Sequence, residues 1–304
     1  MTNRINKKIT FKDWFFATRP WSFAVSGLPA FVAMMYVIYA HPENVHHWQL
    51  GILAVIGAVI FHAGGNLISD YNDYKYGIDR DGSFTGTETL TSGLFLPRQI
   101  LAFGFTFIII GLLIGLFLLR QTGLDLLWIG LFGVIGAVFY YYFKSNALGD
   151  LLIFLVYGPT IMLGTGLVVL GHIDWTLLFV SFPMAFITVS VLHSNNTRDI
   201  QRDRTAGIRT FAMIIGAKAS IVYYFALTIS SYLAIAIMVL LKILPMTALI
   251  TLLTLPIAVK NCKAMSRIDE DNMNPINDLD KETAKLQLMF SLSLSLALII
   301  SIVI

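Results

Sequence analysis

Two polar strings interrupt an otherwise apolar sequence and hold carboxylates at helical spacing. The first, GGNLISDYNDYKYGIDRD, starts at Gly64 and contains Asp70, Asp73, Asp79 and Asp81. The second, HSNNTRDIQRDRTAGIRT over 193–210, contains Asp199 and Asp203. On helices, Asp70 and Asp73 stand at i, i+3 and Asp199 and Asp203 at i, i+4, so each pair points from one face. Such carboxylates brought together repel one another and resist ionisation. A cation is therefore expected between them. Mg²⁺ fits this donor set, because it prefers oxygen and is usually held by a few carboxylates together with substrate phosphates. Lys144, Arg198, Arg202, Arg204 and Arg209 are the cations at hand for phosphate oxygens, which arginine meets with paired hydrogen bonds. The pattern reads as a metal–diphosphate clamp. The plainer alternative is that Asp and Arg in one loop pair as surface salt bridges.

The elements that must position these residues are membrane helices. Of 304 residues, 57% are hydrophobic and only 13% charged, against about 25% charged in a soluble domain. Apolar stretches lie near 21–40, 51–69, 99–119, 124–143, 151–170, 175–194, 219–241, 243–260 and 286–304. A bilayer core of roughly 30 Å takes about 20 residues of helix to cross, and backbone groups in lipid must pair within the segment. The spacing predicts an all-α integral membrane protein with nine transmembrane helices. With the N-terminus in the cytoplasm, Arg120 and Lys242 alone of the 21 Lys and Arg residues face the opposite side. That asymmetry is the positive-inside pattern. It places both Asp strings at the cytoplasmic ends of even-numbered helices, where they can converge.

The remaining signals are weaker. The first apolar run follows Arg19-Pro20 without a small-x-small cleavage site, so it reads as a retained helix and not a signal peptide. FKDWFFATRPW over 11–21 mixes aromatics with cations and suits the membrane surface. The single cysteine, Cys262, excludes an internal disulfide and a cysteine-based zinc site. The net charge of +3 follows topology and gives no reason to expect nucleic acid. HPENVHH over 41–47 reads as a solvated turn. Tyr71, Tyr74, Tyr140, Tyr141 and Tyr142 are candidates to offer a ring face to a cation, against the ordinary packing role of membrane aromatics. His193 is a candidate base, against an ordinary helix-end hydrogen bond. Gly64, Gly65, Gly77 and Gly207 flank the motifs and suit close approach or bending. RIDEDNMNPINDLDKETAK over 267–285 reads as a solvated cap or lid.

Five blocks in order resemble the UbiA superfamily of membrane prenyltransferases. They are ATRPWSF at 17–23, GGNLISDYNDYKYGID at 64–79, YYYFKSNALGDLLIFLVYGP at 140–159, HSNNTRDIQRDRTAGIRT at 193–210 and DKETAKLQLMF at 280–290. The HSNNTRD string and the LGD helix are most similar to the menaquinone-pathway (MenA-type) branch. The resemblance implies one domain over 1–304, a nine-helix bundle around a central cavity, and Mg²⁺-dependent transfer of a polyprenyl group from its diphosphate to an aromatic acid. For that branch the acceptor is 1,4-dihydroxy-2-naphthoate and the product a demethylmenaquinone. Carried over, the metal positions are Asp70, Asp73, Asp79, Asp199 and Asp203, with Lys144 and Arg198 toward the diphosphate. Asn66, Ser69, Tyr140, Asn195, Asn196, Arg202 and Arg209 join Arg198 as substrate contacts. Two positions depart from the pattern: Ser69 stands where Asn is usual, with Asn66 one turn earlier, and Glu88 stands where a basic residue is common. The resemblance implies a bacterial inner membrane with the active site toward the cytoplasm. The rival readings are another branch of the superfamily, with 4-hydroxybenzoate or homogentisate as acceptor, and a cation-coupled transporter.

Overall fold

The computed structural model describes residues 8–45, 47–76, 88–205, 207–270 and 272–304. Among the described residues nine apolar helices succeed one another: α1 (Pro20–Ala40), α2 (Trp48–Lys75), α3 (Pro97–Thr122), α4 (Asp125–Val138), α5 (Gly149–Leu170), α6 (Thr176–Arg198), α7 (Phe211–Leu240), α8 (Met246–Met265) and α9 (Asn274–Val303). Eight of them are long and apolar enough to cross a membrane. The exception is α4, whose 14 residues reach only about 21 Å. The apolar run expected to continue to 143 is broken at Phe139, which leaves helical geometry at φ −100°, ψ 13°. A separate short helix, Tyr140–Ser145, follows. Its i, i+4 residues Tyr140 and Lys144 both turn inward to one cavity.

Each helix is apolar around most of its circumference, as a helix must be when lipid covers one side and protein the other. On α3 and α4 the lipid side is plain: Leu113, Phe117 and Trp128 are exposed. The largest buried cluster joins α1, α5, α6, α7, α8 and α9 through Val32, Met162, Met184, Tyr232 and Phe290, among others. Before α1, Phe11–Ala17 forms a short helix closed by a Thr10–Asp13 capping box. Trp14 packs edge-on to Phe95 and Phe103, with centroids 4.5 and 4.6 Å away, while Phe11, Phe15 and Phe16 stay exposed. That one-sided aromatic face fits the expected surface position.

Local breaks shape the interior. In α5, Pro159 lies in a π turn over Val156–Thr160; proline lacks the N–H that the α-helical ladder needs. The wider turn carries Tyr157 to the cavity wall. Beside it, Gly158 lets α6 approach closely, since a Cβ there would stand 2.6 Å from Ala185 Cβ. In α7, Gly216 (φ 76°, ψ 171°) separates a first turn from the long span.

This packing sets a direct stability test. Gly158→Ala forces two rigid methyl groups together, and overpacking of this kind destabilises by about 1–3 kcal/mol. Gly133→Ala in α4, where nothing lies within 4 Å of the new Cβ, should stay within about 0.5 kcal/mol of the parent. Thermal melting of the two variants in detergent measures the difference.

Candidate active site

A cavity of about 630 Å³ opens between α1, α2, α3, α4, α5 and α6. One end is polar, where Arg19, Asn66, Asp73, Lys144, Asp199 and Arg202 form the wall. The other end is apolar, lined by residues such as Phe61, Leu112, Leu126, Ile129 and Val168. The polar end gathers the ends of α2 and α6 with the Tyr140–Ser145 helix.

Lys144 is the hub of that end. It is buried, and burial by itself works against its charge. The surrounding Asp73, Tyr140, Asp203 and Asp199 outweigh burial and hold the ammonium above the ordinary lysine range. The two Asp strings, 126 residues apart between Asp73 and Asp199, thus meet around one cation.

The individual carboxylates are not equivalent. Asp70 is fully buried and ion-paired with Arg19; Asp70 itself is not on the cavity wall, whereas Arg19 is. Arg19 adopts a left-handed conformation, φ 58° and ψ 60°, directly before Pro20. A non-glycine residue there is strained by roughly 1–2 kcal/mol, and the pairing with Asp70 helps to hold it. Asp199 lies on the wall and accepts from Arg202 Nη2 at 2.7 Å and from Arg198 Nε at 3.1 Å. Asp203 is buried behind it, and among the described residues neither of its oxygens receives a hydrogen bond. Burial pushes Asp203 up to about 6, with Lys144 opposing and Asp199 adding to the rise. Asp79 falls outside the described residues, as does Gly77.

The other expected contacts divide. Asn66, Ser69, Tyr140, Asn195 and Arg202 line the cavity. Asn66 donates to Ser22 Oγ at 3.0 Å and to the Thr18 carbonyl at 3.3 Å. Asn196, Arg198 and Arg209 do not line it. Asn196 turns to Asp150 at 3.5 Å. Arg198 is a buried tie: it binds both oxygens of Asp199, the Asn195 amide oxygen, the Asn277 carbonyl at 2.9 Å and Asp280 at 3.2 Å. With its donors used in joining α6 to α9, it serves Asp199 and leaves the cavity to Arg202. Arg209 is exposed, and its backbone pairs with Ser145 and Asn146. That pairing, with the positive φ of Gly207 (73°), folds the second Asp string back onto the Lys144 helix. Of the five candidate tyrosines only Tyr140 is on the cavity wall among the described residues; Tyr141 stacks on Tyr76 at 4.7 Å. His193 is fully buried with Nδ1 2.8 Å from Asp150 Oδ2, the ordinary hydrogen-bonded role.

Several wall residues were missed in the sequence: Arg19, His62, Tyr157, Asp280 and Lys281. Arg19 stands in the quoted ATRPWSF string, and its charge just before an apolar run was a usable signal. Asp280 and Lys281 belong to the segment read as a solvated cap or lid, whose far edge lines the cavity. No local pattern marks His62 or Tyr157.

A metal fits part of this arrangement. Among the described residues, no three His, Cys, Asp or Glu side chains come close enough to make a ready cage. A hard divalent ion needs no such cage when phosphate and water complete its shell. The donor-free oxygens of Asp203 and the wall carboxylates Asp73 and Asp199 are the residues suited to hold it.

Comparison with known proteins agrees with this geometry. The UbiA prenyltransferase family profile matches residues 26–275. The chain belongs to the UbiA prenyltransferase family. It is 32% identical over 282 residues to UbiA prenyltransferase domain-containing protein 1 of Xenopus tropicalis, covering 91% of this chain and 78% of that one. The Homo sapiens protein of the same name is 31% identical over 91% of this chain and 80% of its own. These relatives do not single out the menaquinone branch. Among solved structures, a UbiA homologue from Aeropyrum pernix K1 superposes with a TM-score of 0.68 at 15% identity, covering 89% of this chain and 96% of that one. A UbiA homologue from Archaeoglobus fulgidus bound to DMAPP and Mg²⁺ gives 0.63 at 14% identity, covering 92% and 98%. The fold of this UbiA-family chain is therefore the fold of those proteins, and its class is that of a membrane prenyltransferase, not a transporter.

The raised Asp203 has a measurable consequence. Its folded value lies above the ordinary carboxylate value, so its share of stability is full at low pH and lost as pH rises from about 4 through about 6. The slope approaches about 1.4 kcal/mol per pH unit within that window. Melting curves of the metal-free protein should show this decline relative to Asp203→Asn, which removes it.

Proposed function

We propose that this UbiA-family chain transfers a prenyl group from a prenyl diphosphate to an aromatic acceptor with Mg²⁺ as cofactor. The observation that carries the proposal is the meeting of Asp73, Asp199 and Asp203 around Lys144 at the polar end of an otherwise apolar cavity. The likeness to a homologue bound to DMAPP and Mg²⁺ supports it. Asp73, Asp199 and Asp203 would hold Mg²⁺, which lowers the charge barrier to loss of diphosphate. Lys144 and Arg202 then face the phosphate oxygens as fixed cations, acting on charge that grows as the allylic C–O bond breaks. Arg19 and Arg198 orient the acidic residues. The apolar wall holds the isoprenoid tail, each buried CH₂ contributing roughly 0.8 kcal/mol, and keeps water from the allylic cation. Tyr140 lines the wall near Lys144 and offers its π face to that cation.

The acceptor we favour is 1,4-dihydroxy-2-naphthoate, giving a demethylmenaquinone. The HSNNTRD and LGD strings support this branch over 4-hydroxybenzoate or homogentisate acceptors. The match over 26–275 supports treating 1–304 as one catalytic domain. The excess of cations beside the Asp strings supports a mouth open to the cytoplasm. A menaquinone role implies a bacterial inner membrane, whereas the relatives named above are animal proteins.

Radiolabelled prenyl transfer in proteoliposomes tests the site. Asp199→Asn should reduce turnover by at least about 10²-fold while the protein melts as a folded species; Mg²⁺-dependent turnover at the parental rate overturns the assignment. Lys144→Ala should raise KM for the prenyl diphosphate far more than for the aromatic acid, and equal changes place Lys144 elsewhere. The acceptor is tested separately by the quinones of cells with and without the gene. Loss of menaquinones alone is the expected result, and loss of ubiquinone or tocopherol-type products selects another branch.

A further inference from the structure

One cavity group has no part in binding diphosphate. His62 lies on α2 one turn before Asn66 and seven residues before Ser69, about 10 Å deeper along the helix, where the wall turns apolar. Its Nδ1 is 3.0 Å from Ser26 Oγ on α1. The Ser26 hydroxyl carries one proton and donates it to the Phe23 carbonyl at 3.3 Å. With that proton on the Phe23 carbonyl, Ser26 Oγ accepts and Nδ1 carries the imidazole N–H. A neutral imidazole protonated at Nδ1 has its lone pair on Nε2. Among the described residues Nε2 has no hydrogen-bond partner, yet it is not among the enclosed unpaired atoms, so it opens on the cavity that His62 lines. Tyr157, carried inward by the π turn of α5, stands edge-on to the ring at 5.0 Å and 68° and sets its tilt. Ser26, Tyr157 and the helix thus fix an aimed base on an apolar wall.

We infer that His62 is a catalytic residue: its Nε2 takes the hydroxyl proton of the aromatic acceptor. The inference rests on the prenyl-transfer reading above. The acceptor oxygen, losing its proton to Nε2, feeds electrons to the ring. A ring carbon then uses a π pair to form the new bond to the prenyl C1, and the C1–O bond breaks with its pair leaving on the diphosphate. The substituted ring carbon next releases a proton to the medium, or carbon dioxide where it bore a carboxylate. The electron pair left behind restores the aromatic ring. The ring oxygen recovers its proton from the imidazolium, and His62 returns to its starting state. Ser26 is a positioning residue, acting through the tautomer it imposes.

The test uses the full chain in nanodiscs with Mg²⁺, geranyl diphosphate and either 1,4-dihydroxy-2-naphthoate or its mono-O-methyl ethers. His62→Ala should lower kcat by roughly 10²–10⁴-fold and leave geranyl diphosphate binding unchanged. Methylating the contacted hydroxyl should slow the wild type by a similar factor and slow His62→Ala little further. Ser26→Ala keeps the imidazole and guards against a folding defect; it should lose about tenfold in kcat and shift the kcat–pH profile. Parental kcat in His62→Ala, or the same methylation penalty in both proteins, overturns the role of His62 alone. A folded wild type that binds geranyl diphosphate but prenylates neither this naphthoate nor any other phenolic acid overturns the transfer reading and this inference with it.

Discussion

The constraint on which the rest depends is charge balance at a buried point. Asp73, Asp199 and Asp203 surround Lys144 at the edge of an apolar cavity, with Arg202 among the further cations on the wall. Removing a charge from water is costly unless a partner compensates it. The protein spreads that compensation: Arg19 serves Asp70, Arg198 and Arg202 serve Asp199, and Lys144 serves the group as a whole. Asp203 is left with both oxygens bare. An enclosed carboxylate without donors is an unsatisfied group, and a divalent cation or a proton satisfies it.

Much of the architecture follows from bringing those groups to one place. The break at Phe139 redirects Tyr140 and Lys144 inward. The bridge between Asn146 and Arg209, helped by Gly207, folds the second Asp string against the same helix. Arg198 ties the end of α6 to the start of α9. Besides Lys242 in the turn between α7 and α8, the described non-glycine residues with left-handed backbone lie in this neighbourhood, at Arg19 and at Ala147, whose φ is 60°. Strained backbone persists where the surrounding contacts over-determine it, and the ion pair with Asp70 holds Arg19 in this way.

The two ends of the cavity divide the labour of a membrane enzyme. Its polar mouth suits a diphosphate, while its apolar floor suits a chain that prefers lipid to water. His62 and Tyr157 stand on the wall where the two characters meet. The π turn that presents Tyr157 comes from Pro159, so one irregular residue shapes both helix packing and the cavity wall.

The sequence alone determined the membrane helices, because hydropathy and cation asymmetry are properties of composition along the chain. It also determined the two Asp strings and Lys144 as candidates, since i, i+3 and i, i+4 spacing is local. Tertiary structure decided what each of them touches. Asp70 and Asp73 look alike in the string, yet Asp70 meets Arg19 and Asp73 meets the cavity. Arg198 and Arg202 are one turn apart, yet only Arg202 lines the wall. His62 and Tyr157 carry no local mark, being single polar residues in apolar helices 95 positions apart. Their meeting depends on how α1, α2 and α5 cross. Helix crossings are set by side-chain shape over long separations, which a pattern of polarity along one strand of residues does not encode.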